Sequence, residues 1–377
     1  MRGRRESVLG LRTPVKAVRE DTRATNMRLV LQHLFDADAL SRADIARATR
    51  LTAATVSAIV SELEQDGLVA RAGTRRDVAQ VGKPPTMLEI RPEARNVVAL
   101  DLSDPDTLQA AVLDLRGSIV ARAEVAIAER GQDAVERVKG LTATMIEQTD
   151  SPVLGIGVGT PGVVSTDGVV VEASNFGWHD VDLRQELENH TGCRVHVRND
   201  ANVAAIAEFT RGGHDCENLA VVKIGSGVGA GFVLNGRPFS GEHAGAGEIG
   251  HLVVDVDGPP CRCGHRGCIE TFVAVPAIEA AQADDPENTV SVRRAAGEKL
   301  GVALASIVAI LDIDHIMVSG PEHILGPEFC ETATASLRTR CLDSVAESVA
   351  VQYTSLGHDI VLLGAAGLVL SQELGVV

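Results

Sequence analysis

A histidine and three cysteines fall close together in the chain, as His251, Cys261, Cys263 and Cys268. One imidazole and three thiolates are the right number and softness for a tetrahedral zinc ion with a closed, structural shell. Pro259-Pro260, Gly264 and Gly267 suit a loop wrapped around an ion. The alternative is a cluster of free thiols, which would be an oxidation liability. His265 lies inside the same loop but off this spacing and is expected to be solvated. Cys193, Cys216, Cys330 and Cys341 are expected as core or surface thiols.

A second set of side chains sits at the ends of short loops: Asn175, Asn199, Asp200, Glu248, His251 and Glu270. Amides, carboxylates and an imidazole together match the hydroxyls of a sugar, leaving few polar groups unpaired. Plainer roles compete: Asp200 as the N-cap of a helix starting at Ala201, and Glu248 and Glu270 as solvated carboxylates beside a positive site. Trp178, the one tryptophan, is expected in the core. A glycine-rich turn, Ile224-Gly225-Ser226-Gly227-Val228-Gly229-Ala230-Gly231, separates two apolar runs.

These residues need elements to hold them. Apolar residues at helical spacing predict helices over 25–35, 42–49 and 55–66; Ser41 to Asp44 has the form of a capping box and Gly67 is placed to end the third helix. Residues 68–70 and 87–90 are strand-like and flank a polar loop with Arg71, Arg75, Arg76, Gly82 and Lys83. Helix, helix, turn, helix and a two-stranded wing is the order of a winged helix-turn-helix. In that motif Thr52, Thr55 and Ser57 would meet bases or phosphates, while Arg42, Arg71, Arg75, Arg76 and Lys83 would meet the backbone or a minor groove. A three-helix bundle used only for dimerisation is the plainer alternative. Beyond Pro92, strands over 96–102, 109–115, 119–127, 153–158, 194–197, 219–224, 230–234, 315–319 and 360–363 alternate with helices, which predicts α/β layers.

Charge divides the same way. Residues 1–95 hold 17 Lys and Arg against 12 Asp and Glu, whereas the remainder holds 18 against 39. A basic head on an acidic body suggests a polyanion partner for the head, although a solvated basic tail would look similar. Aromatic residues make up only 2% of the chain, which argues against base-stacking on single strands or RNA and leaves duplex DNA. No apolar run reaches membrane-spanning length, no apolar segment follows Arg2, Arg4 and Arg5, and seven cysteines form no disulfide framework. A cytoplasmic location is expected.

The strings Ser41-Arg42-Ala43-Asp44-Ile45-Ala46, Leu51-Thr52-Ala53-Ala54-Thr55-Val56-Ser57, Gly67-Leu68-Val69 and Gly82-Lys83-Pro84 resemble the DNA-binding head of the ROK family, which groups bacterial repressors with sugar kinases. Lys83 stands where the family's wing usually has Arg, keeping charge but losing the planar fork. Gly247-Glu248-Ile249-Gly250-His251 through Cys261-Arg262-Cys263-Gly264-His265-Arg266-Gly267-Cys268-Ile269-Glu270 resembles the family's zinc signature without departure, and Gly159-Thr160-Pro161-Gly162 and Ser174-Asn175-Phe176-Gly177-Trp178 are similar to its pocket loops. The resemblance runs over about residues 25–377. It implies a mobile arm at 1–21, a winged helix-turn-helix at 22–92, and at 93–377 a two-lobed, actin-like (ribonuclease H-like), ATPase-type sugar-binding fold with a zinc loop at 251–268. It further implies that Asn199, Asp200, Glu248, His251 and Glu270 contact sugar, that Asp200 would be the general base in a kinase, and that His251 holds zinc through one ring nitrogen and sugar through the other.

Actin-like sugar kinases cradle phosphates on two glycine-rich hairpins. The second is present at Ile224–Gly231, but the first, expected as Asp-x-Gly-Gly-Thr, reads Asp101-Leu102-Ser103-Asp104-Pro105-Asp106. Pro105 removes an N–H donor, and each carboxylate within about 5 Å of a phosphate would cost about 3 kcal/mol at an effective dielectric near 20. Ser319-Gly320-Pro321 departs similarly from the glycine pair of the nucleotide-binding kinases. ATP is therefore not expected. The sequence predicts a sugar- or sugar-phosphate-responsive regulator, a repressor of carbohydrate genes, acting as a homodimer or homotetramer on a palindromic duplex operator. Lobe closure on sugar would reset the spacing of the DNA-binding heads. The competing expectation is a glucokinase-like enzyme with an appended head.

Overall fold

The computed structural model describes residues 19–74 and 85–376. It separates into two compact units, Met1–Arg91 and Pro92–Gly375.

In the first unit, α1 (Arg19–Phe35), β1 (Leu40–Ser41), α2 (Arg42–Thr49) and α3 (Ala53–Gln65) are followed by β2 (Val69–Thr74) and β3 (Thr86–Ile90). Helix α1 starts inside the segment expected as an arm; residues 1–18 lie outside the described residues. Val30, Leu34, Ile45, Val56, Ile59, Val60, Leu63 and Leu88 are fully or almost fully buried and form its core. The Ser41 hydroxyl accepts from the Asp44 N–H at 3.2 Å while the Asp44 carboxylate accepts from the Ser41 N–H at 3.2 Å, a reciprocal capping box. At the other end of the pair, Gly67 (φ +74) takes the left-handed position, and Leu68 N–H reaches the Leu63 carbonyl at 3.0 Å to close a Schellman motif. The sheet has the order β1-β3-β2, so the two predicted wing strands gain a third that the sequence did not announce.

The second unit begins with β4 (Asn96–Asp101), β5 (Thr107–Leu113), β6 (Ile119–Ala126), α4 (Gly131–Glu147), β7 (Val153–Thr160), β8 (Val163–Val164), β9 (Val170–Ala173), β10 (Trp178–Val181), α5 (Leu183–Thr191) and β11 (Val195–Asn199). It continues through α6 (Asp200–Arg211), β12 (Leu219–Ile224), β13 (Val228–Leu234), β14 (Arg237–Phe239), α7 (Glu270–Val273), α8 (Val275–Asp284), α9 (Thr289–Leu311), β15 (His315–Ser319), α10 (Glu322–Leu325), α11 (Pro327–Arg338), α12 (Asp343–Ala346), β16 (Ala350–Tyr353) and α13 (Ile360–Glu373). Two five-stranded sheets result, β11-β7-β4-β5-β6 and β14-β13-β12-β15-β16. Each is an antiparallel three-strand meander with two further strands added in parallel beside its first strand. The same lobe architecture thus occurs twice, with separate apolar cores.

Helices α6 and α13 pack against each other and carry a third buried cluster. A Cβ on Gly364 would lie 1.8 Å from the Val203 carbonyl oxygen, and one on Gly157 would lie 2.1 Å from the Ala365 carbonyl oxygen, so glycine at both places lets α13 seat against α6 and β7. The expected strand over 360–363 is instead the first turn of α13, and the parallel strand is β16. A short apolar run cannot reveal its period alone; the buried helix that follows it decides. Trp178 is fully buried, stacks on Phe176 at 4.6 Å between centroids, and donates to the Gly131 carbonyl at 2.9 Å, a core residue with its one polar group satisfied.

Candidate functional site

In the first unit, α3 buries Val56, Ile59, Val60 and Leu63 and leaves Thr52, Ala53, Ala54 and Ser57 exposed. Thr52 is its N-cap: its hydroxyl accepts from the Thr55 N–H at 3.2 Å and lies 2.9 Å from the Thr55 hydroxyl. The small exposed side chains at this helix start would let a groove edge approach the backbone. Glu64 gathers two of the expected phosphate ligands, Arg42 at 2.9 Å and Arg71 at 3.0 Å. Arg75, Arg76 and Lys83 lie outside the described residues. Sequence reasoning passed over Arg50, an exposed cation with φ +57 at the turn between α2 and α3; an arginine at a tight turn beside a reading helix was the available signal.

In the second unit the donor atoms of His251, Cys261, Cys263 and Cys268 all lie within 4.8 Å of one another. Cys261 Sγ is 3.6 Å from His251 Nδ1, and Cys263 Sγ is 3.6 Å from Cys268 Sγ. A tetrahedral zinc with bonds of about 2.3 Å to sulfur has edges of about 3.8 Å, so the spacing fits such an ion. Without a cation the thiols cannot share this space as anions. The His265 backbone N–H, and then neighbouring groups, lower the Cys263 thiol to about 6, whereas loss of hydration pushes Cys268 up to about 12. His265 is exposed, with Nδ1 3.4 Å from Cys263 Sγ.

The side chains expected to meet a sugar come together beside that cluster. Asn175, Asn199, Asp200, Glu248, His251 and Glu270 line one cavity of about 100 Å³ between the two lobes, so His251 belongs to both cluster and cavity. Asn199, not Asp200, is the N-cap of α6: its Oδ1 accepts from the Asn202 N–H at 3.1 Å and its Nδ2 donates to the Gly162 carbonyl at 3.0 Å. Asp200 occupies the first helical position because the preceding residue already takes the extended conformation required of a cap. Asn175 Nδ2 donates to Ser226 Oγ at 3.3 Å, linking the lobes across the cavity.

Two cations that sequence reasoning missed complete the cavity. Arg262 holds Glu270 through both carboxylate oxygens, at 3.0 and 3.1 Å, and Glu270 Oε2 also accepts the Val228 N–H at 3.2 Å. A Cβ on Gly227 would stand 2.8 Å from that carboxylate, so the glycine turn clears its place. Lys223 Nζ lies 3.1 Å from Asp200 Oδ2, with both side chains largely buried. Burial alone would lower the lysine pKa; Asp200 and Asp101, with Asp104, outweigh it and hold the ammonium above its ordinary value. A lone lysine in the otherwise apolar strand β12 was the readable signal. Glu248 sits at the rim as an exposed residue, yet its carboxyl turns inward, where lost hydration raises its pKa against the pull of His251 and Arg262.

An adjoining cavity of about 450 Å³ is lined by Asp101, Asp104, Pro105, Lys223, Gly225 and Ser226, among others. Asp101 Oδ1 accepts the Ser103 N–H and Asp104 Oδ1 the Asp106 N–H, each at 2.8 Å, so this turn spends backbone donors on its own carboxylates.

A model of the ROK family matches residues 99–372. The chain belongs to the ROK family. In this ROK protein a MarR family model also matches residues 29–77, the span that contains α2 and α3. It is 26% identical over 390 residues to the xylose repressor of Caldicellulosiruptor bescii, covering 93% of this chain and 96% of that one. It is 31% identical over 261 residues to the glucokinase of Halalkalibacterium halodurans, covering 60% of this chain and 79% of that one. A crystal structure of a ROK family transcriptional regulator, described as a homologue of the Escherichia coli MLC protein, has the same fold. Its TM-score is 0.80 at 23% identity, covering 94% of this chain and 97% of that one.

Proposed function

We propose that this ROK protein is a sugar-responsive, DNA-binding repressor of carbohydrate genes, acting in the cytoplasm as a symmetric oligomer on a palindromic operator. One observation carries it. The six polar side chains suited to sugar hydroxyls meet in a single cavity, in a chain that also carries a winged helix-turn-helix. Asn175, Asn199, Asp200, Glu248, His251 and Glu270 are the sugar ligands; Thr52, Thr55, Ser57, Arg42 and Arg71, with Arg75, Arg76 and Lys83 of the wing, are the DNA ligands. The near-full-length likeness to a xylose repressor supports the same assignment and puts xylose first in the panel of effectors.

His251, Cys261, Cys263 and Cys268 hold zinc. The ion's role is structural: it fixes the His251 ring, whose remaining nitrogen then meets a sugar hydroxyl. The paired Asp200 orients sugar through its carboxylate, which Lys223 holds at 3.1 Å.

The glucokinase relative and the presence of Asp200 favour a second function, phosphorylation of the bound sugar. Against it, the turn at Asp101–Asp106 supplies carboxylates and a proline where a triphosphate needs donors. Fluorescence anisotropy with operator fragments, with and without each sugar, combined with an ATP-consumption assay, separates the two. The expected result is operator binding with a steep salt dependence, altered by one sugar, and no ATP turnover. Turnover above about 1 s⁻¹ would establish the enzyme instead.

A further inference from the structure

A further cavity, lined by none of the candidate sugar ligands, has the features of a binding site. It encloses about 220 Å³, more than twice the volume of the candidate sugar cavity, and is lined by both lobes and by α6 and α13, the crossover helices between them. Thr166 and Arg198 come from the first lobe, Ser240 from the segment after β14, Asn202 from α6, and Ser371 and Gln372 from α13.

Among the described residues, two groups on its wall are incompletely satisfied by the protein. The Oδ1 of Asn202 is buried and accepts no hydrogen bond, although the residue is only 7% exposed. Native interiors rarely leave such an atom unsatisfied. The Arg198 guanidinium forms no ion pair with a carboxylate among the described residues, and its one protein hydrogen bond is to the neighbouring Val197 carbonyl at 2.8 Å. Loss of hydration pulls its pKa down, with only the more distant Asp167 opposing. A desolvated guanidinium gains from a planar anion that its fork can grip in two places. With a single cation on the wall and Asp167 nearby, a singly charged carboxylate fits better than a dianionic phosphate. Hydroxyls on the same ligand can donate or accept, so they suit the Asn202 amide once it turns its free oxygen toward the cavity, and they pair with Thr166, Ser240, Ser371 and Gln372.

We propose that this cavity binds a polyhydroxylated monocarboxylate of sugar-acid size, with Arg198 gripping the carboxylate and Asn202 a hydroxyl. Occupancy is coupled to the sugar site by construction. Arg198, Asn199 and Asp200 are consecutive, and the Asn202 N–H is the group that Asn199 caps at 3.1 Å. Because both lobes and both crossover helices contribute, the ligand also biases how the lobes close.

Isothermal titration of the metal-loaded full chain with gluconate tests the site. Glucitol, which lacks the carboxylate, and hexanoate, which lacks the hydroxyls, serve as controls with inorganic phosphate. Gluconate is expected to bind with Kd below about 1 mM, at least ten-fold tighter than any control. Arg198→Met, and separately Ser371→Phe, which fills the cavity from α13 without touching the cation, should each weaken gluconate at least ten-fold. Because Arg198 and Ser371 line this cavity and not the sugar cavity, a loss in both variants separates the two sites whatever the fate of the repressor assignment. No saturable gluconate binding, or full affinity in either cavity variant, would overturn the proposal.

Discussion

At the scale of single residues, the candidate sugar site turns on Lys223. Its ammonium neutralises Asp200 at 3.1 Å in a place with little water. Removing one partner of a buried pair leaves the other charge uncompensated, so Lys223→Met should cost about 3–5 kcal/mol, read by urea denaturation at pH 8. The sign of the pH dependence follows from the raised folded-state pKa. The lysine's contribution is complete below its ordinary value of 10.5 and lost as pH climbs through the higher folded value. Wild type should therefore lose stability more steeply than Lys223→Met above that value, and parallel pH curves would refute the pairing. The residue types of the cavity were legible because polar side chains at loop ends stand out against apolar strands. Their cations were not. Lys223 and Arg262 matter through partners 23 and 8 residues away in sequence, Asp200 and Glu270.

At the scale of elements, caps and turns were the most readable features, since they depend on a few neighbouring residues. Ser41→Ala removes the hydroxyl half of the capping box and should destabilise the first unit by about 1 kcal/mol, measured by denaturation, while α3 keeps its exposed face. Gly364 marks a contact that local patterns do not show. Gly364→Ala would push a methyl into the Val203 carbonyl and should cost about 1–3 kcal/mol, visible as a lowered Tm, with reduced sugar affinity because α6 carries Asp200 at its start. Unchanged melting would mean that α6 and α13 are not seated as described. The same contact explains why residues 360–363 are helical. An isolated Ile-Val-Leu-Leu run favours a strand by composition, but packing against α6 and β7 requires a helix with small residues on one face.

At the scale of the whole molecule, the candidate metal and sugar sites share His251, so they should fail together. Cys263→Ser, or chelation of the wild type, is expected to remove the metal, lower Tm and weaken sugar binding at least ten-fold, the range over which support of a metal-ligand ring is felt. Elemental analysis and sugar titration on one preparation check it. Sugar affinity that survives metal loss would uncouple the two. The two lobes repeat one strand order without any short-period repeat in the sequence, because a sheet's topology constrains which positions are apolar and where turns fall, not which residues fill them.

Readable from the chain alone were the donor set of the candidate metal cluster, the polar residues of the candidate sugar cavity, the capped helices of the first unit and the absence of glycine from Asp101–Asp106. All of these depend on residue type at short spacing. It took the folded chain to show that Asn199 takes the cap and leaves Asp200 for Lys223, that Glu64 holds Arg42 and Arg71, and that Arg198 lines a cavity with no carboxylate paired to it among the described residues. Those outcomes depend on which distant groups are brought within hydrogen-bond reach and how much water is left around them. Sequence spacing does not encode either quantity.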